Sequence, residues 1–385
     1  MNKNSEFADY AARLRALINH AQLDEASSAR EFSEAQFNQL ACELFALQYR
    51  HNATVQKFCD ARGMSPAGVV DWREIPCLPT AAFKEFDVTC WPSSERTTVF
   101  HSSGTTEQTP SRHFHNAESL ALYKASLRPW FAAHVPPAGL RDGGGRSSAL
   151  TQKHCFLALT PPAALAPRSS LVHMFETVRC EFGSPDSMFA GAVGHDGAWS
   201  LDARKVAERL QRACAANQPL IVLGTAFSFV HLLDFLVEEK LRLQLPAGSR
   251  ALETGGYKGR SREIPKPELH ALISERLGIP AANIVCEYGM SELSSQAYDH
   301  AAGVADGQRI FYFPPWARAR VVSPETGREV ADGEMGLIQV VDLANLGSAL
   351  AIQTEDLAVR RGEGFELLGR ATLAEPRGCS LMQVG

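Results

Sequence analysis

The chain reads as an α/β protein: helix-covered, largely parallel sheets with a small antiparallel barrel or sheet appended. Three observations predict this. From residue 201 onward short apolar runs alternate with amphipathic stretches, the pattern of a parallel sheet covered by helices. Polar, glycine-bearing segments follow the apolar runs directly, where such sheets place their ligands. Beyond about residue 309 the texture changes to alternating strands and turns, as in ARVVSPETGREVADGEMGLIQVVDL.

Residues 1–95 read as a helical region. In EAQFNQLACELFALQYR the apolar Phe37, Leu40, Ala41, Leu44 and Phe45 recur at three- and four-residue spacing, which puts them on one helix face. Pro76 and Pro79 then punctuate the chain before a short strand ending near Phe100. An α/β core is expected over 96–308. Within it, 135–148 and 161–170 are Pro/Gly/Ser-rich loops flanking the apolar run Cys155–Leu159. A helix with Leu201, Val206 and Leu210 follows, then a strand at Leu220–Leu223, a helix through Leu232 and Leu236, a strand near Ala251, a helix around 269–277 and a strand at Ile284–Cys286. A β-rich subdomain is expected over 309–370, with Gly327 and Gly333 at turns, and then a tail over 371–385.

Composition bounds the function. Hydrophobic residues make up 45% and charged residues 21%, enough apolar content to build a core across 385 residues. A net charge of -5 argues against a broad nucleic-acid or anionic-membrane surface. The N-terminus carries no secretory pattern and no run of ~20 apolar residues follows, so a cytoplasmic protein with no membrane span is expected. Nine cysteines, odd in number and with no CxxC pair, fit reduced thiols. Most should pack as small hydrophobes. Cys379 differs, because it lies in the polar, glycine-containing stretch Glu375–Ser380.

Several segments can carry chemistry. After the strand Val99–His101, Ser102, Ser103, Gly104, Thr105 and Thr106 form a hydroxyl-rich loop whose donors suit phosphate oxygens, although such loops are also common turn material. Three polar segments at strand ends should converge in one cleft: Gly224–Thr225, Thr254–Gly255–Gly256–Tyr257–Lys258, and Glu287–Tyr288–Gly289–Met290–Ser291–Glu292. Tyr288 offers an aromatic face to a purine, Ser291 a hydroxyl to a phosphate, and Glu292 a hard oxygen ligand suited to magnesium. The alternative readings are a core aromatic and a helix-capping acid. Downstream, the carboxylate of Asp356 in Thr354–Glu355–Asp356 can accept from ribose hydroxyls, and Arg370 can pair with a phosphate or ribose oxygen. Candidates for an acyl pocket are His173, Met174, Gly224, Thr225, Phe227, Phe229 and Val230, a core role being equally open for each aromatic.

The order of these elements, SSGTT, then ETGG, then EYGMSE, TED and Gly369–Arg370, resembles the adenylate-forming superfamily that includes acyl-CoA synthetases and phenylacetate-CoA ligases. More narrowly, ALETGGYKGRSRE, SSLVHM at 169–174, EYGMSEL and the terminal EPRGCSLM resemble the LuxE-type acyl-protein synthetases, over nearly the whole chain. The resemblance implies the large N-terminal domain of the adenylate-forming fold. It also implies use of ATP and Mg2+, a carboxylic acid substrate of the fatty acid class, and an acyl reductase partner or other acceptor. By position it assigns Ser102–Thr106 to the phosphates, Gly255 and Gly256 to the adenine side, Tyr288 to adenine, Glu292 to magnesium, Asp356 to ribose and Cys379 to acylation.

Departures from the pattern are Glu107, where the loop usually continues with glycine, and Ser291, which replaces the commoner threonine. Fifteen residues follow Arg370, fewer than the ~50 of a small domain, so the mobile lid domain of the larger relatives is expected to be missing along with its catalytic lysine. Lys258 is the candidate stand-in. The expected reaction is adenylation of the acid followed by transfer to the Cys379 thiolate, whose pKa Arg377 can lower. Two other readings stay open: an acyl- or aryl-CoA ligase, and a non-catalytic subunit of a reductase complex.

Overall fold

The computed structural model describes residues 3–21, 32–102, 109–137, 153–195, 197–255, 264–304 and 307–370. Helices α1 (Lys3–His20), α2 (Glu34–His51) and α3 (Ala53–Asp60) come first. The start of α2 is fixed by a capping box: Ser33 Oγ accepts from Gln36 N while the Gln36 side chain accepts from Ser33 N, which satisfies two end donors. Strand β1 (Leu78–Pro79), the short α4 (Ala82–Glu85) and the antiparallel hairpin β2 (Thr98–His101) and β3 (Arg112–His115) follow, then α5 (Ala117–His134).

The α/β region comprises β4 (Phe156–Ala158), α6 (Ser170–Phe182), β5 (Met188–Phe189), β6 (Gly191–Val193), β7 (Trp199–Leu201), α7 (Ala203–Ala215), β8 (Ile221–Thr225), α8 (Ala226–Glu238), β9 (Arg250–Thr254), α9 (Lys266–Leu277), β10 (Ile284–Tyr288) and β11 (Ala297–Tyr298). Six of these strands form one sheet in the order β11-β10-β9-β8-β4-β5, parallel throughout except for the antiparallel edge strand β11. Side-chain alternation divides the core in two. Leu157, Val222, Ala251 and Ile284 face α7, α8 and α9, whereas Phe156, Ile221, Leu223, Leu252 and Val285 face α5 and α6. Each buried Val, Leu, Ile or Phe among them contributes about 1.5–3 kcal/mol, so the sheet is held from both faces. Leu201 lies in the β6–β7 hairpin, and α7 starts only at Ala203, where the Asp202 side chain caps it by accepting from Lys205 N.

The last strands, β12 (Ala317–Val322), β13 (Met335–Asp342), β14 (Ala351–Arg361) and β15 (Gly364–Arg370), make a five-stranded sheet with β1 in the order β1-β14-β13-β12, β15 pairing with β14. It is an open sheet and not a closed barrel, because its ends, β1 and β12, do not pair. Strand β1 joins β14 in parallel, Leu78 opposite Ile352, so the N-terminal helical region supplies an edge to this sheet. One core runs through both: Phe7, Tyr10, Phe37, Leu44 and Trp91 pack in the same cluster as Trp316, Ile338, Val340 and Ile352.

Candidate active site

Parallel strands deliver their carboxyl ends to one edge of the sheet, and hydrogen bonds knit the segments there into a connected group. Thr254 at the end of β9 stands opposite Glu287 on β10, and its hydroxyl donates to the Glu287 carboxyl group. Burial pushes the Glu287 carboxyl up to about 7 against the pull of Thr254 and of Lys266. Gly289 follows β10, and a Cβ there would run into Glu287 Oε1, so any larger residue must displace that carboxyl group. The Tyr288 hydroxyl donates to Asp356 Oδ2 at 2.8 Å, which joins β10 to β14. Its ring meets Phe311, Phe313 and Phe365 edge-on.

Ser291 and Glu292 are both buried, and the serine hydroxyl donates to Glu292 Oε2 at 2.9 Å. The backbone of this segment is held from two sides. Asn345 Nδ2 donates to Glu292 O at 3.0 Å, and His113 Nδ1 donates to Ser291 O at 2.9 Å. Below it Asp342 accepts from the backbone of Ser294 and Ser295 and from the Ser295 hydroxyl. A hard carboxylate beside a hydroxyl is the donor set that suits magnesium, so Glu292 and Ser291 fit that ion chemically.

His113 matters because of where it sits. It pairs with Phe100 across the β2–β3 hairpin, which brackets the hydroxyl-rich segment. Ser102, at the exit of β2, accepts from Ser111 N through its Oγ at 2.9 Å, closing the base of that segment. The hairpin is thus fastened to the 288–292 segment by a side chain that sequence reasoning passed over. The signal was present in the alternation Arg112-His113-Phe114-His115, which buries two imidazoles on one face. Burial drives His113 down to about 4, partly resisted by its bond to Ser291, and His115 well below its ordinary value.

The acyl-pocket candidates divide. His173 lies beside Phe100 and Tyr123, its pKa lowered to about 4 by burial and by Lys124, and its Nε2 has no hydrogen-bond partner among the described residues. Thr225 caps α8 by accepting from Ser228 N, and a Cβ at Gly224 would press on Ser228 Oγ and Phe229. Phe227 packs edge-on against His231, whereas Phe229 and Val230 are core residues on the buried face of α8. Arg370 stands opposite Asp356 in the β14–β15 register, 3.9 Å away, with its side chain 79% exposed. Gly255, the residue after β9, has a positive φ of 73°, and Met290 packs at the margin of the core. Ser103, Gly104, Thr105, Thr106, Glu107, Gly256, Lys258, Arg377 and Cys379 lie outside the described residues.

The signature of the LuxE acyl-protein synthetases matches residues 167–384, more than half of the sequence. The chain belongs to the LuxE acyl-protein synthetase family. A long-chain-fatty-acid–luciferin-component ligase of Vibrio harveyi is 20% identical over 356 residues, covering 88% of this chain and 84% of the relative. The ligase of the same name from Aliivibrio fischeri is 24% identical over 194 residues, and that match spans about half of each protein, 47% and 49%. Among solved structures, a 2-hydroxyisobutyryl-CoA ligase in an open conformation superposes with a TM-score of 0.62 at 15% identity, covering 91% of this LuxE-family chain and 74% of the ligase. The fold is therefore that of the adenylate-forming ligases. No helix among the described residues is long and apolar enough to cross a membrane.

Proposed function

We propose that this protein activates a carboxylic acid, a fatty acid by the naming of its relatives, with ATP and Mg2+ in the cytoplasm. The acyl group then passes to its own Cys379 for delivery to an acyl reductase or another acceptor. The observation that carries the reading is a set of hydrogen bonds joined by the 288–292 backbone: Ser111 N to Ser102 at the ends of the β2–β3 hairpin, His113 to Ser291 O, Ser291 to Glu292, and Tyr288 to Asp356. In this reading Ser102 begins the phosphate loop, Glu292 serves magnesium and Asp356, reached through Tyr288, serves ribose.

A free carboxylate resists nucleophiles because its carbonyl carbon is electron-rich and its leaving group would be an oxide. In the proposed first step one substrate carboxylate oxygen bonds to the α-phosphorus of ATP, and the bond to pyrophosphate breaks. Magnesium, held by Glu292, would supply positive charge to the departing oxygens. Ser102–Thr106 and Ser291 offer neutral donors to the same oxygens, and Lys258 a cation. In the second step the Cys379 thiolate attacks the acyl carbonyl and AMP leaves with the bonding pair.

The test is intact-mass measurement of the full chain after Mg·ATP and a panel of acids, with AMP release followed in parallel. An acyl mass increment lost in Cys379→Ser, with AMP release retained, is the expected result. AMP release that requires CoA and leaves the protein unlabelled would replace the reading with a CoA ligase. No pyrophosphate exchange with any acid would end it.

A further inference from the structure

On the α9 side of the sheet, one turn back from the candidate active site, three different donor groups meet. Glu253 on β9 and Cys286 on β10 are cross-strand neighbours in parallel register, so both side chains leave the sheet on the same face. His270 reaches them from α9. Cys286 Sγ lies 3.1 Å from Glu253 Oε2 and 3.5 Å from His270 Nε2, and that nitrogen lies 3.7 Å from the same Oε2. All three residues are buried, and their ligand atoms lie within 4.8 Å of one another, the one such group among the described residues.

The geometry points to a zinc-type transition-metal site formed by Glu253, His270 and Cys286, distinct from the magnesium position at Glu292. Tetrahedral zinc with bonds of about 2.0 Å to nitrogen and oxygen and 2.3 Å to sulfur sets ligand–ligand edges of about 3.3–3.5 Å. The three observed separations straddle that range, so a cation fits with shifts of a few tenths of an ångström. Mixed thiolate, imidazole and carboxylate donors select zinc or cobalt over magnesium and calcium, which want oxygen alone. A second observation is independent of the distances. Glu253 Oε1 is fully buried and has no hydrogen-bond partner among the described residues, an expensive state that a cation held by both oxygens of this carboxylate relieves.

Lys266 is the competitor. Its Nζ sits 3.4 Å from Glu253 Oε2, and its side chain, at the first turn of α9, is 37% exposed. Charge balances in either state. Without metal, the Glu253 carboxylate is offset by the Lys266 ammonium while Cys286 keeps its proton. With a divalent ion, carboxylate and thiolate supply two negative charges, the Cys286 proton goes to solvent, and the still-protonated Lys266 turns outward. The ion would tie β9, α9 and β10 together just before Thr254, Gly255 and Tyr288, making it a structural brace for the strands that carry the nucleotide-side residues.

The test uses the full chain stripped of metal and titrated with Co2+ alone. One Co2+ per chain is expected, with a thiolate-to-cobalt charge-transfer band that disappears in Cys286→Ala and weakens in His270→Gln. Lys266→Gln removes the competing cation without touching a ligand and should tighten Co2+ at least tenfold. Zinc-edge absorption on the wild-type protein gives an answer that needs no variant: a shell with one sulfur among nitrogen and oxygen neighbours is expected. A band that survives Cys286→Ala, a sulfur-free shell, or an affinity that Lys266→Gln leaves unchanged would each overturn the assignment.

Discussion

The two faces of β9 and β10 handle buried ionisable groups in opposite ways. On the α9 face, Glu253 stays ionised: burial pushes its carboxyl up, but Lys266, His270 and Cys286 together pull it below its ordinary value. On the α5/α6 face, Glu287 is one residue along the neighbouring strand and just as buried, yet it rises to about 7 with a threonine hydroxyl as its near partner. The surroundings on that face follow suit, since His113 and His134 are both driven by burial to about 4, each partly resisted by its Nδ1 proton bonding to a backbone carbonyl. One face therefore keeps its charges and pairs them, while the other sheds them. Depth in the protein does not decide the outcome; the presence of a nearby counter-charge does.

The largest expected effect is acid lability arising on the neutral face. His113 and His134 bind protons at 6.5 when unfolded and about 4 when folded, so stability is present above 6.5 and is lost as pH falls to 4, by on the order of 3 kcal/mol each. Glu287 works against this. Its folded pKa is raised from 4.5 to about 7, so its contribution is full below 4.5 and is lost as pH rises through 7. Glu287→Gln should therefore make the fall in urea stability between pH 7 and 4.5 steeper by about 3 kcal/mol. Parallel curves for the two proteins would mean that Glu287 is not neutral in the fold.

Next in size is the charged face. Lys266→Met, measured in chelator, leaves Glu253 buried without its cation and should cost about 3 kcal/mol, the low end for a broken buried pair because the ammonium is partly solvated. Adding Glu253→Gln should recover most of that loss, and a double-mutant cycle with no coupling would break the comparison. Gly289→Ala tests the neutral face sterically. The new Cβ displaces the Glu287 carboxyl from Thr254, for about 1–3 kcal/mol in thermal unfolding.

Much of this arrangement was legible in the sequence and some of it was not. The alternation from 201 to 286 announced the parallel sheet because burial on both faces forces strands into short apolar runs, and Thr254, Glu287 and Ser291 were visible as polar residues at strand ends. Asp356 was visible as the close of an apolar stretch, although its strand β14 continues to Arg361. The β6–β7 hairpin was hidden, since Leu201 belongs by apolar spacing to the helix that starts two residues later. His113 was hidden for another reason: the alternation at 112–115 marks it as an inward-facing residue, but nothing local names the carbonyl 178 residues away to which it donates. The Glu253, His270 and Cys286 group is of the same kind, because its spacing of 17 and 16 residues is set by the helix between two strands and matches no short motif.

Asp356 supplies the smallest effect and the finest test of the rule. Like Glu287 it is largely buried, and burial raises its carboxyl while the Tyr288 hydroxyl pulls the other way. It does have a cation, Arg370, but at 3.9 Å and with the guanidinium side chain 79% exposed, water screens most of that attraction. If counter-charge counts only when it shares the burial, Tyr288→Phe should cost about 1 kcal/mol by removing the 2.8 Å hydrogen bond. Arg370→Ala should then cost less than about 0.5 kcal/mol. The reverse order in matched denaturant titrations would show that an exposed cation can govern a buried acid here, and the contrast between Glu253 and Glu287 would need another cause than the Lys266 ammonium.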